Sequence, residues 1–248
     1  MMPMIPVLAR VDGRAFSRFT KGLERPYDQR MIDAMVETTK YLVEETNARC
    51  GYTQSDEISL VWLSEHPDSE MFFGGKMSKM VSVIGSLATL AFNRLLNRHL
   101  PAYAHKMPVF DNRVWEVPVE YEAANYFIWR EQDATRNSVS MAARCFYSHK
   151  ELHGKSSSEM QEMLFQKGKN WNDYPRHFKR GTYVRRRNIE RNLTPEELAD
   201  LPPKHHARQN PNLVVKRSLI VVEDFQPLTR MVNREAVILH GAEPEYGI

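Results

Sequence analysis

Two short polar segments contain the side chains best suited to chemistry. Asp12 and Gly13 end an apolar run near the start of the chain, and Ser55, Asp56 and Glu57 separate two further apolar runs. Magnesium prefers oxygen ligands and keeps several waters, so two carboxylates and one main-chain carbonyl are enough to hold it. Ions held in this way would neutralise a triphosphate and align the attacking oxygen in a phosphoryl-type transfer. Asp12, Asp56 and the carbonyl of Gly13, which has no side chain to block it, are therefore candidate metal ligands.

The elements that flank these segments are predicted to bring them together. An apolar run stopped by Asp-Gly predicts a strand, apolar periodicity predicts helices, the first with Asp28 as N-cap, and two runs around a polar tip predict a hairpin. The predicted elements are Met4–Val11, Asp28–Asn47, Cys50–Gln54, Ile58–Leu63, Met77–Leu100 and Val109–Val117. In this βαββαβ order the third strand lies antiparallel between the first and second, so Asp12 and Asp56 should lie side by side at one edge of the sheet.

The same two aspartates also have an ordinary structural explanation. An isolated Asp-Gly pair most often forms a turn, and an aspartate at a hairpin tip is most often a solvated surface residue. The residue types of Asp12 and Asp56 alone leave both explanations open. Their predicted proximity strengthens the metal-site interpretation to about the same weight as the structural one, and both stay open.

Composition limits the class of protein. The chain has 248 residues, of which 42% are apolar and 26% charged, as in ordinary soluble proteins. No apolar stretch approaches the ~20 residues of a membrane span, and no signal peptide is apparent, so we expect a cytoplasmic protein with no membrane partner. Two cysteines, Cys50 and Cys145, give neither a disulfide framework nor a zinc cluster.

The net charge is only +3, but cations cluster in one segment. Lys179–Arg191 holds six basic residues and one acid. Such clustering is typical of a phosphate-binding surface, although a basic strand is more often a solvated face. The segment overlaps a predicted strand at 181–189. A short helix from Thr194 with Pro195 at its first position, an exposed loop and a strand at 213–222 are predicted to follow.

Two motifs in these segments resemble those of a known enzyme family. The run from Arg10 to Phe16 (RVDGRAF) and the run from Gly51 to Glu57 (GYTQSDE) look like the signature motifs of the tRNA-histidine guanylyltransferase-like proteins. These are 3′-to-5′ polymerases, which share a palm fold with ordinary polymerases but extend RNA at its 5′ end. The similarity extends from about residue 5 to at least residue 182, and the motif pair with its intervening helix is highly specific.

The resemblance implies a fold and a domain organisation. It predicts an α+β chain whose palm-like catalytic core, residues 1–150, is an antiparallel ferredoxin-like sheet with helices on one face. Residues 151–248 would form a C-terminal α/β extension that packs on this core in one continuous domain.

The resemblance also implies roles for individual residues. Asp12, the Gly13 carbonyl and Asp56 would hold two Mg²⁺ ions, and Glu57 would join the two aspartates in catalysis. The predicted nucleotide-binding residues are Asp12, Gly13, Arg14, Ala15, Phe16, Ser17, Arg25, Ser55, Asp56, Lys76 and Lys79. The last two lysines match a basic pair that grips phosphates, but they could instead be the solvated start of the second helix.

A second implied set would contact the RNA and its 5′ end. Its members come from a strand motif (FDNR), the helix that follows it and the basic segment. They are Arg113, Arg130, Asp133, Asn137, Lys179, Arg180, Arg185 and Arg187.

Two departures from the family pattern bear on specificity and assembly. Eukaryotic members carry a His-Ile-Asn-Asn tetrad where this chain has Thr135 to Ser138 (TRNS), which resembles the bacterial and archaeal branch that repairs truncated tRNAs using a template. Family members usually have a segment before the first strand. Little precedes that strand here, as expected for a shortened start or for an edge open to subunit contact.

From the resemblance we expect a homotetramer that uses ATP, GTP or other NTPs with Mg²⁺ to add nucleotides to the 5′ end of tRNA, in tRNA repair or in guanylylation of tRNA-histidine. Two alternatives remain open: a nucleotidyl cyclase or signalling-nucleotide synthase with the same palm and metal pair, and a catalytically inactive RNA-binding module. The segment Lys179–Arg191 favours RNA over a small-molecule product, and no Gly-Gly-Asp-Glu-Phe-type hairpin supports the cyclase. The presence of both Asp12 and Asp56 favours an active enzyme.

Overall fold

Six β-strands form one sheet in the computed structural model, which describes residues 1–2, 4–66, 71–210 and 212–247, without the side chains of Asn188 and Lys216. The strands are β1 (Val7–Gly13), β2 (Cys50–Gln54), β3 (Glu57–Trp62), β4 (Phe110–Glu116), β5 (Thr182–Asn192) and β6 (Val214–Glu223). Their order across the sheet is β4-β1-β3-β2-β5-β6, and each neighbouring pair is antiparallel.

The first four strands confirm the predicted βαββαβ order, because β3 lies antiparallel between β1 and β2. The first strand extends further than predicted. Asp12 belongs to β1, since it pairs with Glu57 of β3 on one side and with Asp111 of β4 on the other. Pairing on both sides holds the Asp-Gly pair in extended backbone, and the chain first turns at Ala15, whose φ is 56°.

Helices cover both faces of the sheet, which corrects the prediction that they lie on one face. They are α1 (Phe16–Phe19), α2 (Gln29–Glu45), α3 (Met77–His99), α4 (Glu120–Ala143), α5 (His149–Leu152), α6 (Ser157–Gln166), α7 (Arg176–Arg180), α8 (Pro195–Asp200), α9 (His206–Gln209) and α10 (Arg234–His240). The predicted helices α2 and α3 pack on one face, where Val7 and Ala9 join their core. Helices α4 and α10 cover part of the other face, against Leu8 and Val61. That second face also carries Asp12, because side chains alternate along β1.

The two core helices have the features that their sequences predict. The side chain of Asp28 accepts a hydrogen bond from the amide of Arg30 and so caps α2. By length and composition α3 is apolar enough to cross a membrane. Its residues Met80, Ile84 and Phe92 are nevertheless buried in the core beside the sheet, which explains its apolar character without a membrane.

The C-terminal part of the chain widens the sheet, since β5 pairs with β2 and then with β6. Helix α8 begins where predicted, with Thr194 and Glu197 forming a capping box and Pro195 at the first helical position. The exposed loop predicted after it contains a further short helix, α9. A ring nitrogen of His205 accepts a hydrogen bond from the amide of Ala207 (3.1 Å) and thereby satisfies the start of α9.

Candidate active site

The hairpin between β2 and β3 places Asp56 against the end of β1. Ser55 and Asp56 form its two-residue tip, and Ser55 adopts a left-handed φ of 55°. The amide of Gly13 donates a hydrogen bond to the carbonyl oxygen of Asp56 over 3.1 Å. This main-chain bond holds Asp56 beside Asp12, which confirms the predicted proximity of the two residues.

Packing makes a glycine necessary at position 13. A Cβ on Gly13 would overlap the ring of Phe16. That ring is itself surrounded by Phe19, Phe92 and Phe110, with centroid separations of 5.0, 5.7 and 4.9 Å. Glycine is therefore needed at position 13 for two reasons. It leaves the main-chain carbonyl accessible, as proposed from the sequence, and it leaves space for the aromatic cluster around Phe16.

Asp56 lies where its negative charge is disfavoured. Burial raises the pKa of its carboxyl, and the carboxylates of Asp12 and Glu57 raise it further. The hydroxyl of Ser55 donates a hydrogen bond to Oδ1 of Asp56 (3.0 Å), which acts in the opposite direction. Within the described ranges no cation pairs with Asp56, so a bound divalent ion would supply the missing positive charge.

Two arginines hold Glu57 next to Asp12. Arg10 contacts the carboxylates of both, at 3.1 Å from Asp12, because residues 10 and 12 of β1 point to the same face of the sheet. Arg130 of α4 is only 4% exposed and pairs with the other oxygen of Glu57. Arg130 also pairs with Asp133 at 3.1 Å. A continuous ion-pair network thus links Asp12 at the sheet edge to α4.

This network changes the interpretation of several predicted residues. Glu57 is the ion-pair partner of two arginines, and the direct catalytic role predicted for it stays a prediction. Arg130 is buried within the network, so it is not available for the predicted contact with RNA. Asp133 accepts a hydrogen bond from Asn137 (3.2 Å) on the outer side of the network. Arg113 is exposed on β4. The roles of Asp133, Asn137 and Arg113 toward RNA stay predictions.

A cavity of about 110 Å³ opens beside the hairpin tip. It lies between the loop that precedes α2, the tip residue Ser55, and His177 and Phe178 of α7. Two of the predicted nucleotide-binding residues, Arg25 and Ser55, line it. A mostly apolar cavity with a few polar groups is the usual form of a small-molecule site.

The oxygen atoms at this edge fit a hard divalent cation. Asp12 and Asp56 offer carboxylates and Gly13 a main-chain carbonyl. Across the described part of the chain, no group of three or more His, Cys, Asp or Glu side chains forms a fuller metal site. A structural zinc site requires four protein ligands, whereas Mg²⁺ accepts one or two carboxylates and retains waters. The donor set therefore suits Mg²⁺, with Arg10 as the cation that would have to share Asp12 with it.

Comparison with known proteins agrees with this geometry. The sequence profile of the family described as "Thg1: tRNAHis guanylyltransferase" matches residues 1–118. A solved bacterial tRNA(His) guanylyltransferase (Thg1)-like protein in complex with ATP is 38% identical, with a TM-score of 0.71 over 75% of this chain and 81% of that one. The chain belongs to the tRNA(His) guanylyltransferase family. It is accordingly a nucleotidyltransferase with the palm-like fold that the motifs implied.

Two further relatives show how widely the family likeness extends. A bacterial Thg1-like protein solved in complex with GTP is 31% identical, with a TM-score of 0.68 over 92% of this chain and 86% of that one. The tRNA(His) guanylyltransferase of Schizosaccharomyces pombe is 29% identical over 196 residues, which cover 73% of this chain and 74% of the relative.

In this guanylyltransferase family member, Lys76 and Lys79 lie away from the two aspartates. Gly75, which precedes them, accepts a hydrogen bond from the N-terminal amino group over 3.1 Å. That amino group lies 4.0 Å from Glu116, which pairs with the first residue of β1. The start of α3 is therefore at the opposite end of β1 from the carboxylates. The predicted contact of Lys76 and Lys79 with a nucleotide stays a prediction.

The central arginine of the basic segment Lys179–Arg191 is part of the protein interior. Arg185 is fully buried, and its Nε donates to Glu223 over 2.8 Å. It also donates to the carbonyl oxygens of Val237 (2.7 Å) and Ala242 (2.8 Å). Because Arg185 is enclosed, the prediction that it contacts RNA is wrong, and its contacts attach α10 to the sheet.

Other cations of the same segment also have internal partners. Arg187 contacts Glu223 (3.3 Å) and Glu243. Arg180 lies 3.5 Å from the buried carboxylate of Glu131. These pairs neutralise charge that looked free in the sequence, so the segment is not the open phosphate-binding surface that was predicted.

The Gly-Thr turn in this segment is likewise explained by packing. Gly181 has a φ of 75°, and a Cβ there would meet the ring of Tyr52. The hydroxyl of Tyr52 donates to the carbonyl of Arg180 over 2.7 Å, and Lys179 donates to the carbonyl of Asn172. A tyrosine, in place of the phosphate expected from the sequence, occupies the space beside this glycine.

Sequence reasoning missed two residues of the site. Arg10 was read only as part of a motif, although its position two residues before Asp12 in a strand already places both side chains on one face. His177 gave no sequence signal, because α7 reaches the cavity only through the tertiary fold.

Proposed function

We propose that this guanylyltransferase family member is a metal-dependent nucleotidyltransferase that adds nucleotides to the 5′ end of tRNA by 3′-to-5′ polymerisation. The observation that carries the proposal is the junction of Asp12 and Asp56 through the hydrogen bond from the Gly13 amide to the Asp56 carbonyl (3.1 Å). Two carboxylates fixed in this way, beside a cavity lined by Ser55, meet the main requirement of phosphoryl-type transfer from a triphosphate.

The proposed reaction joins the 3′-hydroxyl of an incoming NTP to the 5′ phosphate of the RNA. A 5′-monophosphate end first receives AMP from ATP, and pyrophosphate is released. The 3′ oxygen of GTP or another NTP then bonds to the 5′ phosphorus, and AMP leaves. A 5′-triphosphate end needs no activation, and pyrophosphate leaves directly.

Asp12, Asp56 and the Gly13 carbonyl would hold Mg²⁺, and we propose two ions. When bound, the ions neutralise charge on the transferring phosphate. Arg10 contacts the carboxylate of Asp12 over 3.1 Å and would share it with an ion. The hydroxyl of Ser55 orients that of Asp56 through its hydrogen bond to Oδ1 (3.0 Å).

The cavity at the hairpin tip would accept the base of the nucleotide. Arg25 lies at its wall, where it can approach the phosphates. His177 offers a buried Nε2 that has no hydrogen-bond partner in the described part of the chain. Burial lowers the pKa of His177, so the ring is neutral near pH 7 and can exchange a hydrogen bond with a polar edge of a base.

The substrate and assembly follow from the same proposal. Thr135 to Ser138 (TRNS) supports tRNA repair over strict specificity for tRNA-histidine. We propose that the protein is cytoplasmic and has no membrane partner. Its free thiols, Cys50 and Cys145, are compatible with a reducing compartment. A homotetramer would allow Lys76, which is remote from the carboxylates of its own chain, to approach phosphates bound by another copy.

The test is 5′-end extension of a tRNA that lacks its 5′ nucleotide. The purified protein is incubated with Mg²⁺, ATP and labelled NTPs, and products are resolved at single-nucleotide resolution. We expect 5′ extension that Asp12→Ala and Asp56→Ala each abolish. Asp111→Asn is the matched control, because Asp111 pairs with Asp12 in the sheet but is exposed, and it should retain activity.

Each of the other possible results of this assay would point to a different function. Extension that survives both aspartate substitutions would remove the metal assignment. Release of pyrophosphate from ATP with a cyclic or dinucleotide product would identify a signalling-nucleotide synthase. RNA binding with neither reaction would identify a binding module. A comparison of matched and mismatched acceptor stems then reports whether extension uses a template.

A further inference from the structure

A basic cleft lies at the end of the β1–β4 pair, outside the cavity already described. It contains three cations, an aromatic ring and two exposed apolar side chains, and no acidic residue lines it. The residues that matter here are Arg14, Arg18, Phe19, Lys106, Met107 and Val109.

The cations of this cleft differ from those of the segment Lys179–Arg191, because among the described residues none of them forms an ion pair with an acidic side chain. Arg14 and Arg18 are exposed, and among the described residues neither side chain has an ion pair or hydrogen bond. Lys106 is held in place, since its Nζ donates to the carbonyl of Phe19 (2.8 Å) and lies 4.1 Å from the ring centroid of Tyr103. Uncompensated cations around a concave surface attract an anionic ligand.

The cleft adjoins the carboxylate pair through the main chain. Arg14 directly follows Gly13, and its amide donates to the carbonyl of Val109 over 2.9 Å. The base cavity lies on the opposite side of β1, toward the hairpin tip that carries Ser55. The strand end and hairpin tip that carry Asp12 and Asp56 thus adjoin two different concave surfaces.

In the proposed reaction an NTP and an RNA must meet at the carboxylates. The chemistry of each concave surface suits one of these two substrates. The cavity is mostly apolar and suits a base. The cleft is basic, and its exposed Met107 (64%) and Val109 (43%) add apolar contact beside the cations. Cations together with apolar side chains suit a nucleotide strand better than a bare phosphate ion.

We propose that the cleft of Arg14, Arg18 and Lys106 binds backbone phosphates of the RNA strand next to its reacting 5′ end. This inference rests on the proposed function. It assigns to the RNA a surface on the β4 side of the carboxylates, in place of the basic segment Lys179–Arg191, whose arginines are largely ion-paired within the fold.

The test measures RNA affinity without catalysis. A tRNA that lacks its 5′ nucleotide is titrated with protein in the absence of nucleotides, at several salt concentrations. Arg18→Glu and Lys106→Gln are each expected to weaken binding about threefold to tenfold and to reduce the slope of log affinity against log salt by about 0.9. Arg94→Glu, at an exposed arginine of α3 that lines the groove between α2 and α3, is the matched control and should change neither.

A second measurement separates RNA phosphates from the triphosphate of a free nucleotide. At saturating RNA, the KM for the NTP should be unchanged in Arg18→Glu. A raised KM with unchanged RNA affinity and salt slope would overturn the proposal and assign the cleft to the triphosphate. No change in either quantity would also overturn it, provided that thermal unfolding shows intact folding. Extension by the wild-type protein tests the proposed function separately, so failure of the cleft assignment leaves that function standing.

Discussion

The main-chain amide of Gly13 is bonded to the main-chain carbonyl of Asp56 at 3.1 Å, and this bond joins the end of β1 to the tip of the β2–β3 hairpin. Both carboxylates are therefore positioned by backbone atoms in the sheet. Because the bond uses neither carboxylate, removing the charge of Asp12 or Asp56 should leave their main-chain geometry intact. Effects of such substitutions can then be interpreted as effects on the site.

Substitution of Gly13 should damage activity through packing. In Gly13→Ala the new Cβ would overlap the ring of Phe16, so the ring or the end of β1 must move. Overpacking of this kind costs about 1–3 kcal/mol, and displacement of β1 would shift Asp12 relative to Asp56. We expect a lower free energy of unfolding in urea and a clear loss of 5′-extension rate.

Gly85→Ala is the control for a glycine-to-alanine change in the same core. Its Cβ would lie 3.4 Å from the carbonyl of Phe110, an ordinary contact, within a helix that favours alanine. We expect unchanged or slightly higher stability and normal activity. Recovery of activity in a Gly13→Ala/Phe16→Leu double variant would attribute the damage to the ring, and a Gly13→Ala variant as stable and active as the wild type would contradict the packing argument.

The raised pKa of Asp56 predicts a pH-dependent cost to stability. The folded-state pKa lies above the unfolded value, so between the two values the folded state binds more protons and stability falls as pH rises. The cost is fully present above the folded pKa. Asp56→Asn cannot ionise, and without divalent ions at pH 7 it should unfold at a higher temperature than the wild type. The difference should vanish below about pH 4, where the wild-type carboxyl is protonated.

With Mg²⁺ present, the wild type should become more stable to heat than Asp56→Asn, the reverse of the order expected without divalent ions. An ion that binds only the folded wild type raises its Tm, whereas Asp56→Asn has lost one ligand and should respond weakly. Thermal unfolding in EDTA and in Mg²⁺, at both pH values, checks both effects. Equal responses of the two proteins to Mg²⁺ would show that Asp56 does not hold the ion.

The Arg10–Glu57 pair predicts a specific effect on the metal requirement. In Glu57→Gln, Arg10 loses its second carboxylate partner, so Arg10 would pair with Asp12 alone and compete with a cation there. The Mg²⁺ concentration for half-maximal extension should rise roughly 10-fold, as expected when a group that orients a ligand is removed. Extension rates measured across a Mg²⁺ titration provide the test.

A second substitution distinguishes this competition from a general loss of structure. Removing the guanidinium in Glu57→Gln/Arg10→Gln should bring the Mg²⁺ requirement back toward the wild-type value. Arg130 keeps its contact with Asp133 (3.1 Å) in both variants, so the folded state should persist. A double variant with an even higher requirement would mean that Arg10 supports the site instead of competing at Asp12.

The sequence was sufficient where the deciding signals are local. Asp28 was identified as a helix cap from its position before an apolar periodic run, and it caps α2. The polar tip at Ser55 and Asp56 was identified between two strand-like runs, and the order of elements then required β3 to lie between β1 and β2. These signals each involve a few residues, and the topology rules joined them into the site.

The sequence was insufficient where long-range partners decide what a side chain does. The arginines of Lys179–Arg191 looked free because Glu131 and Glu223 are distant in the chain, although they pair with Arg180 and Arg185. The reverse holds in the basic cleft, where Arg18 and Lys106 attracted no notice because they are 88 positions apart. In this fold, therefore, the cations that are close together in the sequence are not the ones that form an unpaired cluster on the surface.

Arg185 should thus be tested as a structural residue, with Arg113 as its exposed counterpart. In Arg185→Ala the carboxylate of Glu223 loses one of its two arginines, and the carbonyls of Val237 and Ala242 lose their donor in the interior. Removing one member of such a buried pair costs about 3–5 kcal/mol, so we expect strong destabilisation in urea with an unchanged salt slope of RNA binding for the molecules that remain folded. If Arg113 contacts RNA as the family motif implies, Arg113→Ala should show the reverse pattern of normal stability and a slope reduced by about 0.9. An Arg185→Ala protein with normal stability and a reduced slope would restore the RNA contact that its burial argues against.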